Sequence, residues 1–165
     1  MLLTVFLAIV FCAAMALMLI SAVAFIQDNN FFSSAPKEAR DVLIQRDKEL
    51  FYGARAIGWT LFIISILMVL GVGVTAVWDG FRSGFAFRQF FLRFVLIFTI
   101  YKLCDMVLID YFLLLKFKFF QHYYPEAEHV MEGKKYGFNI KSQLLKLLVI
   151  FPAASALAAW ICTLF

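Results

Sequence analysis

Four apolar runs constrain this chain more than any other feature, because each is long enough to cross a membrane. They cover about residues 2–26, 57–78, 94–115 and 144–165, and a helix needs roughly 20 apolar residues to span the hydrocarbon of a bilayer. Of the 165 residues, 64% are hydrophobic and only 16% are charged, against about 25% charged in soluble domains. The sequence predicts an all-α fold, a four-helix transmembrane bundle forming a single membrane domain over residues 1–165.

The first apolar run also permits a second interpretation, a cleaved signal peptide. Ala22, Val23 and Ala24 have the small-residue pattern of a cleavage site. However, no basic residue precedes the run, and the run exceeds the roughly 7–15 apolar residues of a signal peptide. We therefore expect a retained membrane helix.

Basic side chains are distributed unevenly between the loops, and this predicts an orientation. Loops 27–56 and 116–142 together contain ten Lys or Arg residues, whereas three lie in or beside the short loop between the second and third runs. Cytoplasmic loops collect such residues. We expect a multi-pass protein of the cytoplasmic (inner) membrane with both termini extracytoplasmic. The sequence contains no basic stretch interleaved with aromatic residues, so nothing in it indicates nucleic-acid binding. The predicted partners are the lipid bilayer and either further copies of the chain or another membrane subunit.

Both cytoplasmic loops contain patterns that are typical of short amphipathic helices. In the first loop, Ser34 is a suitable N-cap, Pro36 follows in the first turn, and apolar residues recur at helical spacing as far as Leu50. In the other, Pro125 opens a short helix that Gly133 ends. The first of these helices is expected to lie on the inner membrane surface; a solvated linker helix and a docking surface for a partner are the alternatives.

The third apolar run contains three ionisable residues, Lys102, Asp105 and Asp110. Each costs ~2.5–3.5 kcal/mol near the bilayer centre, while the apolar residues of the run contribute a gross ~4–8 kcal/mol. The charges must therefore be paired, neutralised or turned away from lipid. Lys102 and Asp105, at i and i+3, can form an ion pair, and Thr99 and Asp110 share their broad side of the helix. Water, Arg55 or Lys116 is the expected partner of Asp110.

Two roles for this charged side follow from the sequence, and it does not decide between them. Lys102 and Asp105 form either a structural pair that fixes the arrangement of the helices, or part of a site where an intramembrane carboxylate binds a proton, an ion or a polar headgroup.

The second cytoplasmic loop offers a candidate metal site, because His122, Glu126 and His129 lie close together in the sequence. Imidazole nitrogen and carboxylate oxygen are both zinc ligands. The same acids also suit the first turn of a helix, where they complement its dipole. No motif in the sequence predicts a cofactor. A divalent metal bound in this loop is the alternative.

Small residues and cysteines mark other packing positions. Ala154 with Ala158, and Ser155 with Ala159, repeat at a spacing that lets helices approach closely, and Gly71 and Gly73 either do the same or loosen their helix. Cys12, Cys104 and Cys162 each lie in an apolar run without a C-x-x-C pair, so we expect free, packed thiols.

Residues 100–145 resemble a pattern found in small, uncharacterised bacterial integral membrane proteins of about four spans. The stretches "CDMVLIDYFLL", "YYPEAE" and "YGFN" carry the similarity. The resemblance implies a membrane fold but no activity, and the chain departs from the pattern at Ala127, where the pattern has a hydroxyl or small polar residue. It singles out Asp105, Asp110, Pro125, Glu128 and Tyr136.

Two functional hypotheses follow. The first is a non-enzymatic membrane protein, either a subunit of a membrane complex or a small transporter that works as an oligomer, with the Lys/Asp side of the third run as its polar core. The second is a membrane enzyme that acts on a lipid-like substrate at the cytoplasmic face. Its acid–base or metal-binding groups would be Asp110, Glu126, Glu128 and the two histidines. No recognised catalytic motif occurs in the sequence, which favours the first.

Overall fold

The computed structural model describes residues 1–32, 41–46, 48–131 and 140–164, and within these ranges the chain is helical or irregular, without a strand. Helix α1 (Leu2–Ile20) continues as a π-helix (Ser21–Ile26), and α2 covers Ala54–Arg82. Helix α3 (Phe87–Cys104) continues as a second π-helix (Asp105–Lys116). What we name the C-terminal helix consists of α6 (Ile140–Leu145), a π-turn (Lys146–Ile150) and α7 (Phe151–Cys162). The all-α prediction is confirmed.

Shorter elements join these helices. A 3-10 turn (Asn29–Phe32) follows α1, and α4 (Phe119–Tyr123), a 3-10 turn (Pro125–Ala127) and α5 (Glu128–Met131) follow α3. Pro125 therefore does open a short helical segment, as predicted, while the predicted end at Gly133 lies outside the described residues. Tyr136 also lies outside them.

Among the described residues, three helices are long and apolar enough to cross a membrane, namely Leu2–Ile26, Ala54–Arg82 and Ser142–Cys162. The sequence predicted four. The remaining long helix, α3 with its π-helix, comprises 18 and 12 residues, so its length suffices. This helix differs from the three apolar ones in its charged residues, because Lys102, Asp105 and Asp110 fall within its apolar stretch.

The long helices pack in the order α2, α1, α3 and C-terminal helix. α1 contacts both α2 and α3 along its length, and α3 contacts the C-terminal helix, whereas α2 and α3 meet over a shorter stretch. Small side chains make α1 suitable for this central place, since Ala8 and Ala14 are completely buried and let neighbours approach on both sides. The arrangement is an open row of helices more than a closed four-helix bundle.

The polarity of the packed helices is the reverse of that of a soluble protein. Large apolar side chains cover the outside, among them Leu67, Leu70 and Val74 of α2 and Leu148 of the C-terminal helix, all more than half exposed. The buried polar or charged residues within the long helices and the π-helix after α1 are Thr4, Ser21, Ser65, Arg93, Lys102 and Ser155. Apolar residues outside and polar residues inside are what a lipid environment selects.

A buried arginine fixes the hairpin between α2 and α3. Arg93 donates one hydrogen bond to the carbonyl oxygen of Ala76 (2.8 Å) and another to the carboxylate of Asp79 (2.7 Å), and its guanidinium lies 4.3 Å from the ring centre of Phe85. In the sequence Arg93 counted only as a loop charge. Its true role is to join the two helices at the extracytoplasmic end predicted above.

Close helix packing uses one of the small-residue pairs expected from the sequence and one glycine that was not expected. A methyl group added at Gly80 would overlap the ring of Phe90, whereas Gly71 and Gly73 have open space around them. These two glycines lie on the exposed side of α2 and bring no helix of the described chain close, so the alternative that they loosen α2 or pack between chains stays a prediction. In the C-terminal helix, the pair Ser155 and Ala159 is completely buried.

The amphipathic helix predicted in the first cytoplasmic loop is absent from the described part of that segment. Residues 41–46 and 48–50 form turns and irregular chain, and the predicted N-cap Ser34 and Pro36 lie outside the described residues. The physical reason is that tertiary partners take the backbone groups that a helix would use: Leu43 offers its carbonyl oxygen to the side chain of Asn29, and the Ile44 amide donates to Glu126.

Candidate functional site

Lys102 and Asp105 form a buried ion pair in the third long helix. The ammonium of Lys102 donates a hydrogen bond to the Asp105 carboxylate, and the two side chains are 4% and 16% exposed. The i, i+3 contact expected from the sequence is present, and the pair is turned away from the apolar exterior. Within the same helix, Leu103, Val107 and Leu108 are about half exposed and form the opposite side.

The change from α-helix to π-helix occurs at Asp105, and it alters the placement of Asp110. Backbone hydrogen bonds in a π-helix join residues i and i+5, so Asp105 and Asp110 lie one turn apart on the same side. A regular α-helix would rotate the second carboxylate farther from the first, because each residue turns by about 100°. The widened helix thus brings two acids into one line, and π-helices are frequent at functional sites.

Asp110 has a neutral hydrogen-bond donor as its partner. The side-chain amide of Gln143, in the C-terminal helix, donates to the Asp110 carboxylate at 3.0 Å. Lys146 and Lys102 are close enough for their positive charges to act on the same carboxylate. We name Lys102, Asp105, Asp110 and Gln143 the polar core; its residues come from α3, its π-helix and the C-terminal helix.

The basic partners proposed for Asp110 are engaged elsewhere. Arg55 donates to the backbone carbonyl of Arg46, and Lys116 lies 5.4 Å from the ring centre of Phe112. Thr99 is half-buried one turn before Lys102. Gln143 could not be chosen from the sequence, because its role depends on how the C-terminal helix packs against α3.

Two residues of the candidate metal site, Glu126 and His122, have other contacts. Glu126 forms a 2.7 Å ion pair with Arg46, and the ring of His122 meets that of Tyr123 edge to face. Among the described residues, no group of three or more His, Cys, Asp or Glu is placed to hold a metal ion. The site of His122, Glu126 and His129 stays a prediction that the observed contacts do not support.

These contacts instead join the segment around Arg46 to the segment around Tyr123 in a cap under the end of α1. Arg46 reaches the Tyr123 carbonyl and lies 5.6 Å from the ring centre of Tyr124. Val23 packs with Phe120, Tyr124 and Ala127. Burial of the phenol, partly offset by the charge of Arg46, raises the pKa of Tyr124 to about 12. At the rim of the cap, a hydrogen bond from Lys118 lowers the pKa of the exposed Glu128.

No family model, no curated protein and no solved structure matches this chain.

Proposed function

We propose that the chain is a non-enzymatic, four-span protein of the cytoplasmic membrane that binds and releases a proton or a small cation at the polar core. In this proposal the third long helix crosses the bilayer beside the three apolar helices, both termini are extracytoplasmic, and loops 27–56 and 116–142 are cytoplasmic. The lysine and arginine distribution supports this orientation. Trp59 and Trp78, both exposed near opposite ends of α2, suit the two membrane interfaces and support α2 as a full span.

One observation carries the proposal: a charged pair is buried inside a protein whose exterior is apolar at the same level. Burying Lys102 and Asp105 costs desolvation that a well-packed apolar pair would avoid. Asp110 adds a third ionisable group with a neutral donor, Gln143, as its hydrogen-bond partner. An amide can donate to a charged carboxylate or accept from a protonated one through its oxygen, so this partner suits a carboxylate that changes its protonation or its bound cation.

The open row of helices supports an assembly. A single row encloses little space for a substrate, and the outer sides of α2 and the C-terminal helix remain uncovered. The protein therefore works as a homo-oligomeric small transporter or beside a partner membrane subunit. The enzyme hypothesis stays a prediction, since no observed contact favours it.

The proposal is tested by Asp105→Asn and Asp110→Asn, with Asp41→Asn as a control at an exposed carboxylate outside the polar core. Each variant is reconstituted into liposomes, and proton and sodium or potassium fluxes are followed under an imposed gradient. Native mass spectrometry and crosslinking in membranes report the assembly. We expect the Asp110 variant to lose flux, or to lose partner recovery, while the control retains both. Unchanged flux and unchanged assembly in both core variants, with normal membrane insertion, would contradict the proposal.

A further inference from the structure

The side chain of Gln143 leaves one of its two polar atoms unused. Its amide nitrogen donates to the Asp110 carboxylate at 3.0 Å, whereas its Oε1 is buried and accepts no hydrogen bond from any described residue. Buried polar atoms nearly always have partners, so one without a partner calls for an explanation. The carboxylate beside it could supply the missing donor by taking up a proton.

A half-turn of the amide about its terminal bond exchanges its two polar atoms, and that bond rotates easily. In the orientation described, the N–H of Gln143 stabilises the charged carboxylate of Asp110. After the half-turn, Oε1 would accept a hydrogen bond from the O–H of the protonated acid. The pair therefore keeps a hydrogen bond in either protonation state. Lysine or arginine in place of the glutamine could not do this, because neither side chain accepts a hydrogen bond.

Charge balance in the polar core leaves room for one positive charge. Lys102 carries one positive charge, and Asp105 and Asp110 carry one negative charge each, so the core has one net negative charge. Asp105 is engaged by Lys102, and neutralising it would leave a buried ammonium uncompensated. Asp110 is therefore the carboxylate that can be neutralised at least cost.

The groups that surround Asp110 from other parts of the chain do not remove this net charge. Lys146 of the C-terminal helix acts on the carboxylate but is itself exposed. Helix α1 carries no charged side chain, and the thiol of its Cys12 and the phenol of Tyr101 are uncharged near neutral pH. The short helix α4 contributes His122, whose side chain is exposed.

The described part of the polar core has too few free oxygen atoms for a metal cation. Sodium sites in membrane proteins use backbone carbonyls freed where a helix is unwound, and Mg²⁺ or Ca²⁺ takes about six to eight oxygen ligands. Here the helix is continuous over Phe87–Lys116, so its carbonyls bond within the helix. The oxygen atoms that remain are those of Asp110 and Gln143. A proton needs only one oxygen atom and one acceptor.

We propose that the polar core takes up a proton and not a metal cation, with Asp110 as the proton carrier and Gln143 as the positioning residue that bonds it in both states. Uptake forms one O–H bond on Asp110 with a proton from water and leaves the core without net charge; release is the reverse. Chains of acidic residues within membranes often serve as proton relays. This inference rests on the function proposed above and narrows its ligand to the proton.

Infrared difference spectroscopy of the full chain in liposomes, titrated with pH, tests the carrier, because a protonated carboxyl group has a C=O stretch that a carboxylate lacks. We expect a titrating band that Asp110→Asn removes and Asp41→Asn keeps. Gln143→Leu should shift the frequency of this band, since the acid loses its acceptor. Gln45→Leu is the matched control, an exposed glutamine outside the polar core, and should leave the band in place. A band that Gln143→Leu does not move would overturn the proposal.

A second measurement needs no variant and separates the proton from a metal cation. The wild-type chain is titrated in sodium, potassium or choline chloride at constant ionic strength, and the midpoint of the band should be the same in all three. A midpoint that falls as sodium or potassium is raised means that the cation competes with the proton. That result would overturn the proton assignment and leave the function proposed above intact. A wild-type spectrum without such a band, together with no effect of either cation, would refute both.

Discussion

Breaking the Lys102–Asp105 pair should cost much more than removing it. Both side chains are largely buried, at 4% and 16% exposure. Replacing one partner of a buried pair leaves the other charge uncompensated and costs about 3–5 kcal/mol, whereas replacing both with apolar residues of similar volume is neutral or stabilising by about 1–4 kcal/mol. We therefore expect Lys102→Met and Asp105→Leu each to lower the free energy of unfolding by ~3 kcal/mol or more, and the double variant to recover all of that loss.

The assay is reversible unfolding in mixed micelles, in which the free energy of unfolding is followed by circular dichroism as SDS is added. A double-mutant cycle gives the coupling energy between the two positions. The matched control is the cycle of Lys118→Met and Glu128→Leu, a pair whose side chains are 63% and 46% exposed, and its coupling energy should be much smaller than that of the buried pair. The prediction would be contradicted if the two core substitutions were additive, so that the double variant lost as much free energy of unfolding as the two single variants together. The two side chains could not then be a buried, interdependent pair.

Three further outcomes follow from contacts outside the polar core. Gly80→Ala should lower the free energy of unfolding by about 1–3 kcal/mol, because the added methyl group overlaps the ring of Phe90. Gly71 lies in open space, so Gly71→Ala should raise the free energy of unfolding by up to ~1 kcal/mol. Equal effects of the two substitutions would contradict the helix packing. Arg93→Ala should lower the free energy of unfolding by ~3 kcal/mol in the same SDS assay. Arg93→Lys should restore only part of this loss, since an ammonium group lacks the forked guanidinium that reaches both Ala76 and Asp79. Full recovery by lysine would contradict the geometry. The pKa of Tyr124 is raised to about 12 by burial, whereas the phenol ionises near pH 10 in the unfolded chain. Its contribution to stability is therefore present below pH ~10 and lost as the pH rises toward 12. A phenolate absorbance titration with Tyr124→Phe as the reference checks this, and a difference spectrum that titrates near pH ~10 would refute it.

Much of the fold could be predicted from the sequence, because membrane helices are specified by long apolar runs that need no tertiary information. The helix starting at Leu2, the helix around Trp59 and Trp78, and the helix containing Pro152 follow from run length alone. The contact between Lys102 and Asp105 was predictable for the same kind of reason, since residues at i and i+3 are neighbours on any helix.

What the sequence could not show depends on how helices meet. No sequence pattern distinguishes the π-helix that begins at Asp105 from an α-helix. Its effect on the placement of Asp110 could therefore not be predicted. Gln143, the partner of Asp110, comes from another helix. The surface helix around Leu43 was wrongly predicted from apolar periodicity, because local periodicity does not reveal that Asn29 and Glu126 bind the backbone there.

The account depends most directly on the third long helix crossing the bilayer with its charged side turned inward. Spin labels placed one at a time along residues 94–112, in a cysteine-free chain reconstituted into liposomes, measure this through their collision rates with oxygen, which concentrates in lipid, and with a water-soluble nickel complex. Oxygen collisions should peak at Leu103, Val107 and Leu108, fall at Ile97 and Lys102, and exceed nickel collisions throughout the central turns. Free access of the nickel complex to all these positions, or an oxygen maximum at Lys102, would contradict the account.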